Sequence, residues 1–542
     1  MGNFMIKGGG VVLVLSLLSI NLPKASAQKN PETLRVSLNS QIPSELAPGS
    51  MVLVNEVQQW RMDETAIIVC DMWDRHWCSE ATARVAEMAP ELNNMLSVAR
   101  SKGAFIVHAP SGTMDFYEDH PGRKLAKKYN YRSIASKIKK DELLESEKHA
   151  KWPFEISNGG CTDSPSNARV NERVWKRQIN TITIEPGDAI SDSGVEIGSL
   201  FKKKKIKNVI LTGVHTNMCV IGRTFGLRNM RRMGYNVVLM RDMTDTMYDS
   251  ISKPYVSHYT GTSLMVEYIE KYVCPTMVSK DITDKKQFRF KADDRPVVAF
   301  IMAEGGYRAN QRLPEFAHEL LLTKNVACDF AIGKPIMEGE GRHNIENLQI
   351  MKDADLAIIF VRRRALELEK MVLIQDYIKG GKPVLGIRTA SHAFDPKGNV
   401  PREGGTNQAA KGKVDEYLAN WTEFDKEVLG GNYQGHYGHL EEGTQIAPIP
   451  GMEQHPLLKG VDIDGFTSPC WLYRNRPLSS PNIQVLIKGT IPDKPSEPVF
   501  WINNNKYGNA IYTSMGHWDD WEIESFKNLM LNSVDYLLGR IN

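Results

Sequence analysis

Four apolar runs stand out in the first half of the chain: Thr65-Ala-Ile-Ile-Val-Cys70, Ala104-Phe-Ile-Val-His108, Asn208-Val-Ile-Leu-Thr212 and Asn236-Val-Val-Leu-Met240. Runs this continuous predict strands covered on both faces. Between the first two, Ala83 to Lys102 has helical spacing and stops at Gly103. Alternating strands and helices predict a parallel α/β sheet, with active groups at the carboxyl ends of its strands. A second series follows in Val297-Val-Ala-Phe-Ile301, Leu356-Ala-Ile-Ile-Phe-Val361 and Pro383-Val-Leu-Gly-Ile387, with a helical stretch from Leu366 to Lys379. The tail predicts a strand at Ala510-Ile-Tyr-Thr513 and a closing amphipathic helix. Residues 28–60 read as an extended lead-in with several prolines, and the polar stretch 276–294 as a linker. The fold class expected is α/β: two tandem three-layer domains with mainly parallel sheets, over 61–275 and 295–542.

Composition narrows the classes of function. A chain of 542 residues is long enough for two or three domains, and 42% hydrophobic with 24% charged residues is an ordinary globular balance. The net charge of +3, from 67 basic and 64 acidic residues, gives no support to nucleic acid as a partner. Lys7, the apolar run Val11 to Leu18, Pro23 and the small-residue site Ala25-Ser26-Ala27 have the layout of a cleavable leader over 1–27. The run is too short for a permanent span, so the expectation is a secreted or periplasmic protein without a membrane span. Seven cysteines leave at least one thiol unpaired in an oxidising compartment, and a disulfide among Cys78, Cys161 and Cys274 stays open. Self-association into a homo-oligomer is also left open.

Three residues converge on one sheet edge. Asp71 follows the first strand directly, Lys176 lies in Val174-Trp-Lys-Arg-Gln178, and Cys219 closes the segment that begins at Asn208. A thiol where a strand turns into a helix gains from unpaired N–H groups and the helix dipole. A carboxylate, a cation and a thiol together form a nucleophile–base–orienter set. Singly, each has a plainer reading, as a helix cap, a surface charge and a core residue.

Residues 64–275 resemble the isochorismatase-like cysteine hydrolases, which include nicotinamidases and pyrazinamidases. The resemblance is carried by Val69-Cys-Asp71-Met-Trp-Asp74, Trp175-Lys176, Gly213-Val-His-Thr-Asn-Met-Cys219-Val and Leu239-Met-Arg-Asp242 with Thr244-Asp245. It implies Asp71 as general base, Lys176 as the positioning cation and Cys219 as nucleophile toward a small-molecule amide. It also implies a cis peptide at Val214–His215 and an oxyanion held at the turn carrying Val214, His215 and Met218. Arg177 follows Lys176 directly, so which of the two enters the site stays open. The stretch His108 to His120 lacks the Asp-x-His metal spacing of nicotinamidases, so no metal and no other cofactor is expected. The insert 139–171 is read as a pocket-shaping element or a surface elaboration.

Residues from about 295 to the end resemble the ThuA-like (trehalose utilisation) domains, related to the class I glutamine amidotransferase fold. Gly386-Ile-Arg-Thr-Ala-Ser-His392, Leu429-Gly-Gly-Asn-Tyr-Gln-Gly-His436 and Tyr512-Thr-Ser-Met-Gly-His517 carry it. Amidotransferases place a cysteine at the strand–helix elbow; here Arg388 stands there, which excludes thiol-based glutamine hydrolysis in this half. His392, His436, His439 and His517, with Glu423, are candidates for acid–base work or ligand binding, against a plain reading as hydrogen-bonded loop histidines. The resemblance implies a carbohydrate ligand. Two rival readings remain: a noncatalytic receptor built on both folds, and a carbohydrate-active protein in which the first domain is accessory.

Overall fold

The computed structural model describes residues 2, 32–156, 158–163, 172–336, 339, 341–396, 399–402, 405–408, 418–438, 441–462 and 466–541. The leader, Gly2 apart, and His439 lie outside the described residues. In the first half, β1 (Thr33–Pro43), β2 (Met51–Arg61), β3 (Thr65–Cys70), β4 (Phe105–Ala109), β5 (Ala189–Ile190), β6 (Asn208–Val214), β7 (Asn236–Asp245) and β8 (Thr276–Met277) form one sheet ordered β2-β1-β8-β7-β6-β3-β4-β5. Strands β3 to β8 pair in parallel and β1 joins antiparallel. Strand alternation splits the core. Ala66, Ile68 and Cys70 face Leu200, Phe201 and Leu264, while Ile67 and Val69 face Val85, Met88 and Leu92 of helix α1 (Ser79–Lys102). Gly103 ends that helix in the left-handed region, as its sequence position predicts.

The second sheet runs β11 (Ile345–Glu346), β10 (Ala327–Gly333), β9 (Val297–Ala303), β12 (Leu356–Val361), then the strands Val384–Ile387, Asn509–Thr513, Glu497–Asn504, Ile483–Thr490, Thr444–Pro448 and Thr467–Ser468. From β10 through Asn509–Thr513 the pairing is parallel; beyond that it is antiparallel. Val298 and Phe300 pack on Leu313, Phe316 and Phe526, whereas Ala299 and Ile301 pack on Met371 and Ile374. Each sheet is thus the middle of three layers.

Two segments differ from their expected form. The lead-in is a β-hairpin that closes the edge of the first sheet, and it also reaches the second half. Leu53 is buried in that core, its carbonyl accepts from Asn310 Nδ2 at 3.1 Å, and Arg35 pairs with Glu346 at 2.6 Å. The polar stretch after Thr276 is anchored rather than loose, because Ile282 and Phe290 are buried against the first core. Sparse apolar residues suffice to fix a segment that has no periodic pattern. Among the described residues no helix is long and apolar enough to cross a membrane.

Asp425, buried in the turn Asp425–Leu429, accepts the Tyr433 N–H at 2.7 Å. Burial pushes its carboxyl up to about 7, against about 3.9 in an unfolded chain. The folded state therefore holds this proton more tightly, giving stability below pH ~4 that is lost as pH rises through ~7, on the order of 4 kcal/mol. Thermal denaturation of Asp425→Asn is expected to show a Tm that gains on the parent as pH goes from 5 to 8. A parallel pair of pH curves would show that Asp425 does not titrate abnormally.

Candidate active site

The site lies at the carboxyl edge of β3 and β6. Asp71 leaves β3 with φ 47° and is fully buried. Its Oδ1 accepts the Ser111 N–H at 2.6 Å. In Gly213, the next-to-last residue of β6, φ is +99° and an added Cβ would lie 2.1 Å from the Cys70 carbonyl, so only glycine lets the two strand ends approach. The Val214–His215 peptide is cis, as the resemblance implies. The following turn is pinned from β7: Thr244 Oγ1 donates to the Gly213 carbonyl at 2.8 Å, and Asn217 exchanges hydrogen bonds with Met247 at 3.0 Å each. These contacts explain the value of Thr244-Asp245 in the sequence pattern.

Cys219 lies inside a five-residue π-helical turn, Thr216–Val220, and not at the head of a long helix. A turn this short supplies little macrodipole. The positive charge comes instead from Arg223, one turn onward, whose N–H donates to the Cys219 carbonyl at 3.0 Å. Its Nε lies 3.4 Å from Asp71 Oδ2, and its side chain also hydrogen-bonds Cys219. The thiol itself hydrogen-bonds the Asp71 carboxylate and receives the His215 backbone N–H. Asp71, Cys219 and Arg223 are thus one contact group.

The structure places Lys176 elsewhere. It is exposed, and its backbone N–H donates to Asp74 Oδ1 at 3.0 Å. Arg177 lies over the Phe116 ring at 5.7 Å. Among the described residues, the cation that reaches both Asp71 and Cys219 is Arg223. Met218 is also reassigned from the oxyanion role, because its N–H already donates to the His215 carbonyl at 3.0 Å. The Val214 carbonyl accepts from the Cys70 thiol at 3.4 Å, and His215 presents its N–H to the Cys219 sulfur.

Electrostatics set the resting protonation. Loss of water around the sulfur, and then the Asp71 charge, push the Cys219 thiol well above its ordinary value, with Arg223 opposing. Burial likewise raises Asp71, while Arg223, the thiol and the Ser111 N–H pull it back. The resting sulfur is therefore a thiol and not a preformed thiolate. Alkylation of Cys219 by iodoacetamide is expected to be slow at pH 6 and to climb steadily to pH 9, read by peptide mapping. Fast, pH-independent labelling at pH 6 would show a stable thiolate instead.

Aromatic rings wall the same edge. Trp73 stacks on Trp175 at 4.2 Å, both indole N–H groups donate to the Ser111 carbonyl at 3.2 Å, and His76 stacks on Trp175 at 5.9 Å. Burial, reinforced by Arg84, lowers the His76 imidazole to about 4, so it is neutral at pH 7. A disulfide between Cys78 and Cys161 ties the insert to the start of α1 beside this wall. Asp163 lies beside those two sulfurs, but sulfurs joined in a disulfide offer no thiolate to a metal. Both His108 nitrogens are taken, by Gln178 at 2.9 Å and Asp188 at 3.0 Å.

In the second half, Arg388 occupies the elbow after Val384–Ile387 with φ 45° and is fully buried. His392 stacks on Tyr433 at 4.4 Å, His436 pairs in a bridge with Tyr473, and His517 lies 6.0 Å from the Tyr307 ring. Arg388 sits over both Tyr307 and Tyr473, at 4.1 and 4.6 Å, so the three histidines do gather around one edge. Glu423 stands apart, in an exposed pair with Lys426 at 2.9 Å.

A buried carboxylate with a partly exposed thiol and guanidinium beside it, at the carboxyl edge of a parallel sheet, are the parts of a nucleophilic hydrolase domain. Residues 65–253 match the family model of the isochorismatase domain, which places such a domain in the first half of the chain. Among solved structures, a ThuA-like protein from Bacteroides uniformis is similar at 15% identity, covering 47% of this chain and 95% of its own, with a TM-score of 0.32. A cysteine hydrolase from Pseudomonas syringae is similar at 15% identity over 42% of this chain and 95% of its own, with a TM-score of 0.26. The pyrazinamidase of Pyrococcus horikoshii in complex with zinc is similar at 16% identity over 40% of this chain and 99% of its own, with a TM-score of 0.22. Comparison with curated proteins finds no match.

Proposed function

We propose that the first domain hydrolyses a C–N bond of a small carboxamide through a thioester on Cys219. The observation that carries this is the contact group of Asp71, Cys219 and Arg223. Asp71 takes the thiol proton as sulfur attacks the carbonyl carbon, and Arg223 offsets the negative charge gathering at the site. The tetrahedral intermediate collapses as the C–N bond breaks, and the departing nitrogen receives the proton from Asp71. Water then attacks the thioester with Asp71 again as base, releasing the acid and restoring the thiol. Because Asp71 must be ionised and burial raises it, the acidic limb of kcat/KM is expected above the ordinary carboxylate range. Ammonia release from a panel of small primary amides tests the reading, and a limb near pH 4 would argue against Asp71 as base.

The second domain is proposed to bind a carbohydrate, supported by the partly exposed rings of Tyr307, Tyr433, Trp471 and Trp518 on one edge. Flat aromatic faces suit the C–H faces of sugars. Export of the chain is part of the same proposal, and the Cys78–Cys161 disulfide supports an oxidising compartment.

A further inference from the structure

The carboxyl edge of the second sheet is rich in buried cationic groups. Arg364 and Arg388 are both 0% exposed. Arg388 donates to the Ser514 carbonyl at 2.7 Å and the Tyr307 hydroxyl at 3.0 Å, and its Nε has no partner among the described residues. Arg364 gives only Nη2, to the Ile336 and Lys334 carbonyls at 2.6 and 3.3 Å, leaving Nε and Nη1 without partners among the described residues. Arg362, one-third exposed, lies 3.9 Å from Glu304 and keeps an unpartnered Nε.

Among the described residues, negative charge is scarce there. Among the described residues Glu304 is the carboxylate that acts on Arg364, while Arg342 and Arg362 both repel it. Glu304 is itself buried and raised by that burial, and it is already occupied by the Gly306 and Tyr307 N–H groups at 2.6 and 2.5 Å. Burial and its arginine neighbours push Arg364 down to about 10. Buried charge without a counter-charge is costly, and an anion entering from solvent removes that cost. The Tyr307 ring lies under Arg388, Trp518 packs against Tyr307, and Tyr433 is near Arg362 and Arg388.

We propose that this edge binds a sugar carrying an anionic group, held at the surface by Arg362, with the buried Arg364 and Arg388 supplying positive potential behind it, and stacked on the neighbouring rings. The proposal rests on the carbohydrate reading of the second domain and adds the charge. A planar guanidinium meets a carboxylate or a phosphate through paired N–H groups, which a neutral hydroxyl cannot match.

Titration calorimetry of the full chain with glucuronate, glucose 6-phosphate, glucose and inorganic phosphate tests this. At least one charged sugar is expected to bind about tenfold or more tightly than glucose and than phosphate. Whichever of the two charged sugars binds identifies the anionic group. Arg362→Gln, at a partly exposed position, is expected to remove most of that advantage without changing Tm, and Arg364→Gln to do the same if it folds. Equal binding of glucose would overturn the charge recognition and leave the carbohydrate reading standing. Phosphate binding as tightly as the sugars would overturn the sugar. Absence of binding by all four would overturn both, and an unchanged Arg362→Gln affinity would overturn the assigned anion site.

Discussion

Cys219→Ala is expected to lower amide hydrolysis by at least about 10⁴-fold, because Cys219 is the thiol in contact with both Asp71 and Arg223, while Cys70 is fully buried with its thiol donating to the Val214 carbonyl. Asp71→Asn is expected to approach the same loss, since the thiol is protonated at rest and needs that base in every turnover. The two losses should not multiply in the double variant, as both residues serve one step. Steady-state ammonia release on one responsive amide measures all three. Retained activity in Cys219→Ala would move the chemistry to another site.

Arg223→Gln is expected to lower kcat/KM by about 10²–10³-fold, the scale of removing one charge-stabilising donor. Lys176→Gln is expected to stay within about threefold of the parent, a scale that corresponds to a surface charge. The pair separates the cation that touches Asp71 and Cys219 from the one the family pattern points to. Arg223→Lys should recover part of the loss, because a point charge returns without the guanidinium's hydrogen-bond geometry. The reverse order, with Lys176→Gln inactive and Arg223→Gln active, would restore the family assignment.

The sheets were legible because their strands are buried on both faces and read as unbroken apolar runs, as in Thr65–Cys70 and Leu356–Val361. Strand ends were less so: β7 runs on to Asp245 because Thr244 pairs across to Gly213, a contact with no local pattern. The hairpin Thr33–Arg61 was hidden by its mixed composition, since Leu34, Val36, Leu38 and Trp60 on one face meet the first core while Leu53 and Arg35 on the other meet the second half. Asp71 and Cys219 could be placed from strand ends alone. Arg223 was missed although its signal was present, four residues beyond Cys219 and so on the same side of one helical turn. Lys176 attracted the role through the family pattern, while its loop carries it to the surface. The helix dipole expected at Cys219 was overestimated, because sequence shows a nearby helix start but not how little helix follows.

Acid-quenched mass spectrometry during turnover tests the central claim most directly. With a responsive small amide, an acyl group of the substrate's mass is predicted on the peptide carrying Cys219. The adduct should be sensitive to hydroxylamine and absent from Cys219→Ala. Acylation of a different residue, turnover without any adduct together with an active Cys219→Ala, or no ammonia release from any member of a broad amide panel would contradict it.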